Sequence, residues 1–355
     1  MKTAVRRITR SQLLIPLLAL LLLVIFNLIR DPSFFAIKLV KDSYQNPVLQ
    51  GNLVSVFNRA SELAVLAMGM TLVTSVSRGQ DISVGAGATI AGSVFISVLL
   101  SGPITWGLII AAFLGSCVVG VMVGLFNGTL VSAFKIQPMI ATLIMFTTGR
   151  AIAYWILGGT SPVVSDARLG YIGTTIPGVP IPTPIFVVIV CAVIFALLLK
   201  FTNLGLYMQA VGSNEKAARL NGINVVRTKI LAFVIMGLCV AVAGTISVGR
   251  MGTVNYDTFL WGIEMDAILA VAIGGNSLGG GKFSMVGSII GAYVIQGLTT
   301  TLLAMSVPST ALPAYKAVVI VLLVIIGSPV VKRGVSQMWA KLRSKDAAPS
   351  IKEGV

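Results

Sequence analysis

From Leu13 to Val331 the chain alternates apolar runs with short polar turns, and that alternation fixes what it can fold into. Ten runs stand out: Leu13 to Ile29, Leu53 to Val76, Ile82 to Leu100, Ile104 to Phe134, Met139 to Leu157, Ile185 to Phe201, Ile230 to Val248, Ala267 to Leu278, Met285 to Met305 and Tyr315 to Val331. A helical bilayer crossing takes ~20 apolar residues. Lipid offers no partner to backbone N–H and C=O groups, so runs of this length read as helices that satisfy their own backbone. The expected fold is all-α: a polytopic membrane protein of about ten transmembrane helices. Composition agrees, with 56% hydrophobic and 10% charged residues against ~25% charged in a soluble domain. Ten spans use up 355 residues and leave no length for a soluble domain. The fourth run is long enough to be tilted or bent, and the eighth is short and glycine-rich.

The formal charge of +15 raises the possibility of nucleic acid, but its distribution argues for membrane orientation instead. Lys2, Arg6, Arg7 and Arg10 precede the first run, and Lys332, Arg333, Lys341, Arg343 and Lys345 follow the last. If both tails, residues 1–12 and 332–355, are cytoplasmic, the number of spans is even. Ten fits, as would eight. With ten, Arg78, Lys135, Lys200, Lys216, Arg219, Arg227, Lys229 and Lys282 fall on the same side as the tails, and the opposite side is nearly neutral. The positive-inside rule describes this asymmetry, so the basic excess implies lipid and no nucleic acid. The basic start and apolar run resemble a signal peptide, but no small-x-small pattern follows Phe26, and the segment reads as an uncleaved first span.

Several chemistries are excluded. The chain has no His, hence neither the commonest general base nor the commonest metal ligand. Cys117, Cys191 and Cys239 lie singly in apolar runs and form no metal-type pair. The cluster Gly274, Gly275, Gly279, Gly280, Gly281-Lys282 fails as a phosphate loop, because Asn276 and Phe283 occupy positions where Gly and Ser/Thr are needed. A proton- or sodium-coupled secondary transporter keeps acids at mid-membrane, whereas Asp81, Asp257 and Glu264 fall near run ends. An intramembrane aspartyl protease needs a facing partner for Tyr256-Asp257, and Asp81 lacks the right neighbours. No catalytic residue, metal site or bound cofactor is expected in this chain.

Three connections exceed ordinary turns. Arg30 to Asn52 and Gly158 to Thr183 fall on the outside, the second stiffened by Pro162, Pro177, Pro180 and Pro182. The third, residues 202–228, is cytoplasmic. Ser213 or Asn214 can cap a short helix from Glu215 to Leu220, and Asn221-Gly222 supplies its stop. A helix this short is marginal alone and needs a neighbour or a partner protein to hold it.

The stretch Gly212-Ser-Asn214-Glu215-Lys-Ala217-Ala218-Arg-Leu-Asn-Gly222-Ile223 resembles the coupling loop of the permease subunits of ribose/galactose-type ABC sugar importers, the branched-chain-permease-like superfamily. Gly79-Gln80-Asp81-Ile82-Ser83-Val84-Gly85 resembles that family's G-G-I-D-L-S-V-G signature, and Glu264-Met-Asp266-Ala-Ile-Leu-Ala-Val-Ala-Ile-Gly274-Gly275 its E-L-D-A-I-A-A-V-V-I-G-G stretch. With Phe126-Asn127-Gly128 and Lys135 to Leu143 the resemblance covers about residues 53 to 330, and within the family it looks most like the galactofuranose-type permeases. Arg78 stands where the family has a small residue, and Gln80-Asp81-Ile82 replaces Ile-Asp-Leu.

The resemblance implies a transport subunit without its own ATPase, with residues 13–331 as the permease domain. Its implied partners are an ABC ATPase that binds the ATP, an extracytoplasmic sugar-binding protein, a second permease, identical or homologous, and the sugar. It implies a bacterial cytoplasmic (inner) membrane location. Gly212, Asn214, Glu215, Ala217, Ala218 and Gly222 would meet the ATPase. Read from the residues alone, Asp81 is either the cap of the third span, neutralised by Arg78 three residues away, or a substrate contact. Arg150 lies inside the fifth span, where an unpartnered charge costs ~2.5–3.5 kcal/mol. Arg150, Asn127, Glu264 and Asp266 form a structural ion pair, line a polar path, or both, and Glu62 with Arg59 is a second candidate pair.

Overall fold

The computed structural model describes residues 13–41 and 47–327; the two basic tails and the end of the last run lie outside them. Among the described residues the chain is helical, with one short exception. Six helices are long and apolar enough to cross a membrane: α2 (Asn52–Ser77), α4 (Trp106–Ser132), α5 (Pro138–Ile156), α7 (Thr183–Phe201), α10 (Val225–Met251) and α12 (Met285–Ala304). Two further apolar helices are shorter, α1 (Leu14–Arg30) and α3 (Val84–Leu99). The remaining helices are α6 (Ala167–Gly173), α8 (Leu204–Ser213), α9 (Glu215–Leu220), α11 (Ile263–Ile273) and α13 (Leu312–Gly327). The chain divides into two compact units, residues 1–301 and 302–355. In the second, a turn with Ser306 at φ 59° leads to α13.

The helix boundaries follow local chemistry. Thr105 accepts the Leu108 N–H at the start of α4 (3.2 Å), and Asn224 accepts that of Arg227 at the start of α10 (3.0 Å). Pro138 opens α5 at a position whose N–H has no intrahelical partner, and Gly252, at φ 67°, closes α10.

The central helix is α2, whose apolar stretch is wholly buried within the chain, whereas that of α7 is only 17% buried. Between helices in lipid the hydrophobic effect supplies little attraction, so close packing through small residues takes over. Gly120, Gly124 and Gly128 form a stripe on α4 that faces α10, and a Cβ at either Gly120 or Gly237 would fall on the other's carbonyl oxygen. Buried hydroxyls bridge other helices: Thr71 of α2 donates to Ser288 of α12 (2.6 Å), and Asn27 of α1 donates to Thr301 (2.8 Å).

The N-terminal end of α2 carries the exception to the all-α expectation. A 3-10 turn, Pro32–Phe35, leads into β1 (Lys38–Lys41), which pairs antiparallel with β2 (Pro47–Gln50) in the register Leu39↔Leu49. Each strand has Leu and Val at its centre, of which the β-branched Val suits a pleated pair, and the Leu49 N–H donates to the Pro180 carbonyl (3.1 Å), tying the hairpin to the proline-rich segment. That segment contains α6 and is held by a core of Phe95, Ile96, Leu169, Val248, Val254 and Phe259.

Candidate functional site

Two places gather the polar residues singled out above. The first is at the C-terminal end of α2. The segment expected to hold one short helix holds two, α8 and α9, separated by Asn214. The Asn214 side chain, not that of Ser213, caps α9 by accepting the Ala217 N–H (3.1 Å). Asn221 and left-handed Gly222 end it, with the Gly222 N–H on the Arg219 carbonyl (3.0 Å) and that of Ile223 on Ala218 (3.1 Å). Glu215 pairs with Lys229 of α10. Ala218 is buried at 4% exposure, Ala217 is exposed, and Leu220 stands 90% exposed. The sequence suggested that one of the two alanines faces away from the body; the fold shows that it is Ala217.

Arg78 caps α2 in a left-handed conformation, φ 56°, which costs a side-chain-bearing residue roughly 1–2 kcal/mol. It does not reach toward Asp81 as the sequence suggested. Its Nε donates to the Gly212 carbonyl (2.6 Å) and its Nη2 to that of Ser213 (2.5 Å), the last carbonyls of α8. Gly212 is needed there, because a Cβ would strike the Ser75 carbonyl oxygen. The Gly281 N–H donates to the same carbonyl (2.9 Å), and Ser75 Oγ donates to the Gly281 carbonyl (2.6 Å).

The second place lies within the helical body, at the N-terminus of α3. After Arg78 the chain turns back along α2: Gly79 packs on the Pro138 ring, and the Asp81 N–H meets Met70 Sδ at 3.5 Å. Asp81 Oδ1 accepts both the backbone N–H (2.8 Å) and the hydroxyl (2.6 Å) of Ser83, and Ser83 Oγ accepts Asn127 Nδ2 (2.8 Å). Two residues on, Gly85 lies against Glu264 Oε2 and the Leu260 carbonyl. The N-termini of α3 and α11 therefore meet inside the protein, and each brings a carboxylate to the positive end of a helix dipole.

The helix α11 has 11 residues, about 16 Å at 1.5 Å per residue, half of a ~30 Å hydrocarbon core. Before it, Asn255 to Gly262 run in non-helical turns whose carbonyls have no helical ladder. Arg150, from the middle of α5, supplies the donor: its Nη1 meets the carbonyls of Tyr256 (3.1 Å), Asp257 (3.0 Å) and Phe259 (3.3 Å), and its guanidinium lies 4.7 Å from the centre of the Trp261 ring. The charge thus has a structural use that the sequence did not reveal, as the donor to three carbonyls of irregular backbone. The hydrogen bonds described for Arg150 run to carbonyls, where sequence alone suggested Asp266. Asp266 is in the first turn of α11, two residues after Glu264.

Among the described residues, Asn127 Oδ1, Glu264 Oε2 and Arg150 Nε and Nη2 are buried without a hydrogen-bond partner. Asn127 is fully buried and Glu264 is 3% exposed. Acceptors and donors left open in this way suit a ligand that both gives and takes hydrogen bonds, as a hydroxyl or a water does. No group of three His, Cys, Asp or Glu gathers among the described residues to hold a metal ion.

Sequence reasoning missed Arg250. It pairs with Glu62 (2.7 Å) and donates to the Asn58 carbonyl (3.0 Å), while Ser247 donates to the same Glu62 (3.1 Å); Glu62 was matched with Arg59 only because the two are neighbours in sequence. Arg250 was detectable as a base at the end of a run on the side where bases are scarce. It also lines an open cavity of about 490 Å³ with Val163, Asp166, Tyr171 and Thr174.

Residues 52–327 match the family described as the permease component of the branched-chain amino acid transport system. The chain belongs to that family and is a multi-pass membrane permease component. It is 37% identical over 313 residues to the galactofuranose transporter permease protein YtfT of Escherichia coli K12, covering 88% of both chains. It is 33% identical over 352 residues to the fructose import permease protein FruF of Bifidobacterium longum, covering 98% of this chain and 96% of that one. With the ribose import permease protein RbsC of Escherichia coli K12 it shares 35% over 315 residues, 87% and 92% of the two chains. No solved structure gives a significant match.

Proposed function

We propose that this chain is the membrane-spanning subunit of an ATP-driven ABC importer for a monosaccharide, located in the bacterial cytoplasmic membrane. The named relatives are permeases for galactofuranose, fructose and ribose, which supports a sugar as the solute. ATP binds the partner ATPase; this chain binds no cofactor. Both tails are cytoplasmic and the chain crosses ten times, with α11 and the turns before it making one discontinuous crossing. A second permease, identical or homologous, completes the pathway, and an external binding protein delivers sugar to the face carrying the β1–β2 hairpin.

The observation that carries this reading is α9. A six-residue helix is too short to persist alone, yet it is pinned by Lys229, capped at both ends, and presents Ala217 and a 90% exposed Leu220 away from the body. A surface so built serves to be gripped. When the ATPase closes on ATP, movement of α9 reaches the buried ends of α3 and α11, where Asn127, Arg150 and Glu264 meet solute hydroxyls as the pathway opens. No covalent step occurs in this chain.

The test is Ala217→Arg. Bulk and charge at a packed contact cost ~1–3 kcal/mol from overpacking alone, while nothing in the helical body changes. The variant is expected to insert and melt like the parent, to lose its ATPase on pull-down, and to lose uptake of labelled sugars offered as a galactose, fructose and ribose panel. Parental ATPase recovery together with parental uptake would overturn the docking role of α9.

A further inference from the structure

We propose that Arg78 is a lock that joins the helix pair α8–α9 to the central helix α2, so that the pair, the end of α2 and the Gly279–Gly281 turn move as one body. This rests on the docking role proposed for α9.

Three observations converge. Both hydrogen bonds described between α8 and α2 come from one side chain, with Arg78 Nε on the Gly212 carbonyl at 2.6 Å and Nη2 on the Ser213 carbonyl at 2.5 Å. Those carbonyls close α8 immediately before the Asn214 cap of α9, so the anchor sits at the hinge of the pair. The planar fork of a guanidinium matches two adjacent carbonyls held by a helix end. Second, the site is built for contact: Gly212 has no Cβ and rests on the Ser75 carbonyl, and the Gly281 N–H shares that carbonyl. Third, Arg78 holds a left-handed backbone, φ 56°, which glycine adopts with less strain. The strain persists where the side chain is used.

Without Arg78 the pair keeps one described polar tie to the long helices, Lys229 to Glu215, which leads to α10 rather than to α2. A pull on α9 would then tilt the pair instead of displacing α2. Arg78 is exposed, and water can solvate the carbonyls it leaves, so its loss spares the fold. It is a positioning residue, separate from the surface that the ATPase grips.

In the full chain with Cys117, Cys191 and Cys239 replaced by Ala, spin labels at Lys216 of α9 and Thr147 of α5 measure how firmly the pair is held. The parent is expected to give one narrow distance distribution. Arg78→Ala is expected to at least double its width with an unchanged melting temperature, and Arg78→Lys, which can still donate to a carbonyl, to recover most of the narrowing. In the assembled complex Arg78→Ala is expected to keep its ATPase on pull-down yet lose at least fivefold of the stimulation of ATP hydrolysis by the binding protein, with Arg78→Lys restoring it. An unchanged width in Arg78→Ala would overturn the lock. A broadened width with parental stimulation would reduce Arg78 to a structural tie and overturn its part in coupling. Failure of the unmodified permease to recover any ATPase would overturn the docking role of α9 and the coupling role of Arg78 with it, while the distance widths would still show whether the lock exists.

Discussion

The two polar centres differ in how completely their groups are paired. At the C-terminal end of α2, Arg78, Ser75, Gly281, Asn214, Glu215 and Lys229 find partners, and the backbone carbonyls of Gly212, Ser213 and Gly281 accept at 2.5–2.6 Å, while Thr74 Oγ1 is buried without one. At the N-termini of α3 and α11, Asp81, Ser83 and Asn127 form a chain, but Asn127 Oδ1, Glu264 Oε2 and two nitrogens of Arg150 stay open among the described residues. A buried polar atom left without a partner costs ~1–3 kcal/mol. The N-termini of α3 and α11 carry more of these open groups than the end of α2.

The largest effect is expected at Arg150. Arg150→Ala strips the donor from three carbonyls of the Asn255–Gly262 turns, and a hydrogen bond to a charged group contributes ~1.5–3 kcal/mol. Folded yield and melting temperature of the purified permease are expected to fall sharply. Adding Asp266→Ala is expected to bring no recovery, because the contacts of Arg150 are carbonyls; substantial rescue in the double variant would restore an ion pair as the reason for the charge.

A smaller change sharpens the contrast. Asn127→Ala loses one hydrogen bond, to Ser83, and removes an acceptor that was already open, so stability is expected to drop by only about 1 kcal/mol while uptake of the transported sugar falls at least tenfold. A loss of stability matching that of Arg150→Ala would show that Asn127 belongs to the scaffold instead. The mildest test leaves both centres intact and asks on which side each lies. Single cysteines at Ser213 and at Thr174, in a chain without its native cysteines, are expected to react with an impermeant reagent from opposite sides of the membrane, Ser213 from the cytoplasm. Labelling of both from one side would break the ten-crossing arrangement.

Much of the coupling segment was legible in the residues because its signals are local. A capping Asn214, an early Glu215 and the stop Asn221-Gly222 act within one turn of the helix they bound, and the structure places α9 at Glu215–Leu220. α8 was not legible: Leu204 to Ser213 has no capping side chain, and part of it is held from a distance by Arg78. The hairpin β1–β2 escaped for a similar reason, since four-residue strands in a connection between spans carry little periodicity and one of them is tied to Pro180.

By itself the sequence determined that this is a helical membrane protein, because runs of apolar residues have no other stable form in lipid. It also carries the residues, within 52–327, that mark the family. Only the tertiary structure decided what the charges within the body do. Arg150 serves irregular turns more than a hundred residues away in sequence, Arg250 and not Arg59 meets Glu62, and Arg78 turns to α8 and not to Asp81. A charge's partner is whichever group the fold brings within ~3 Å, and no local pattern records that distance.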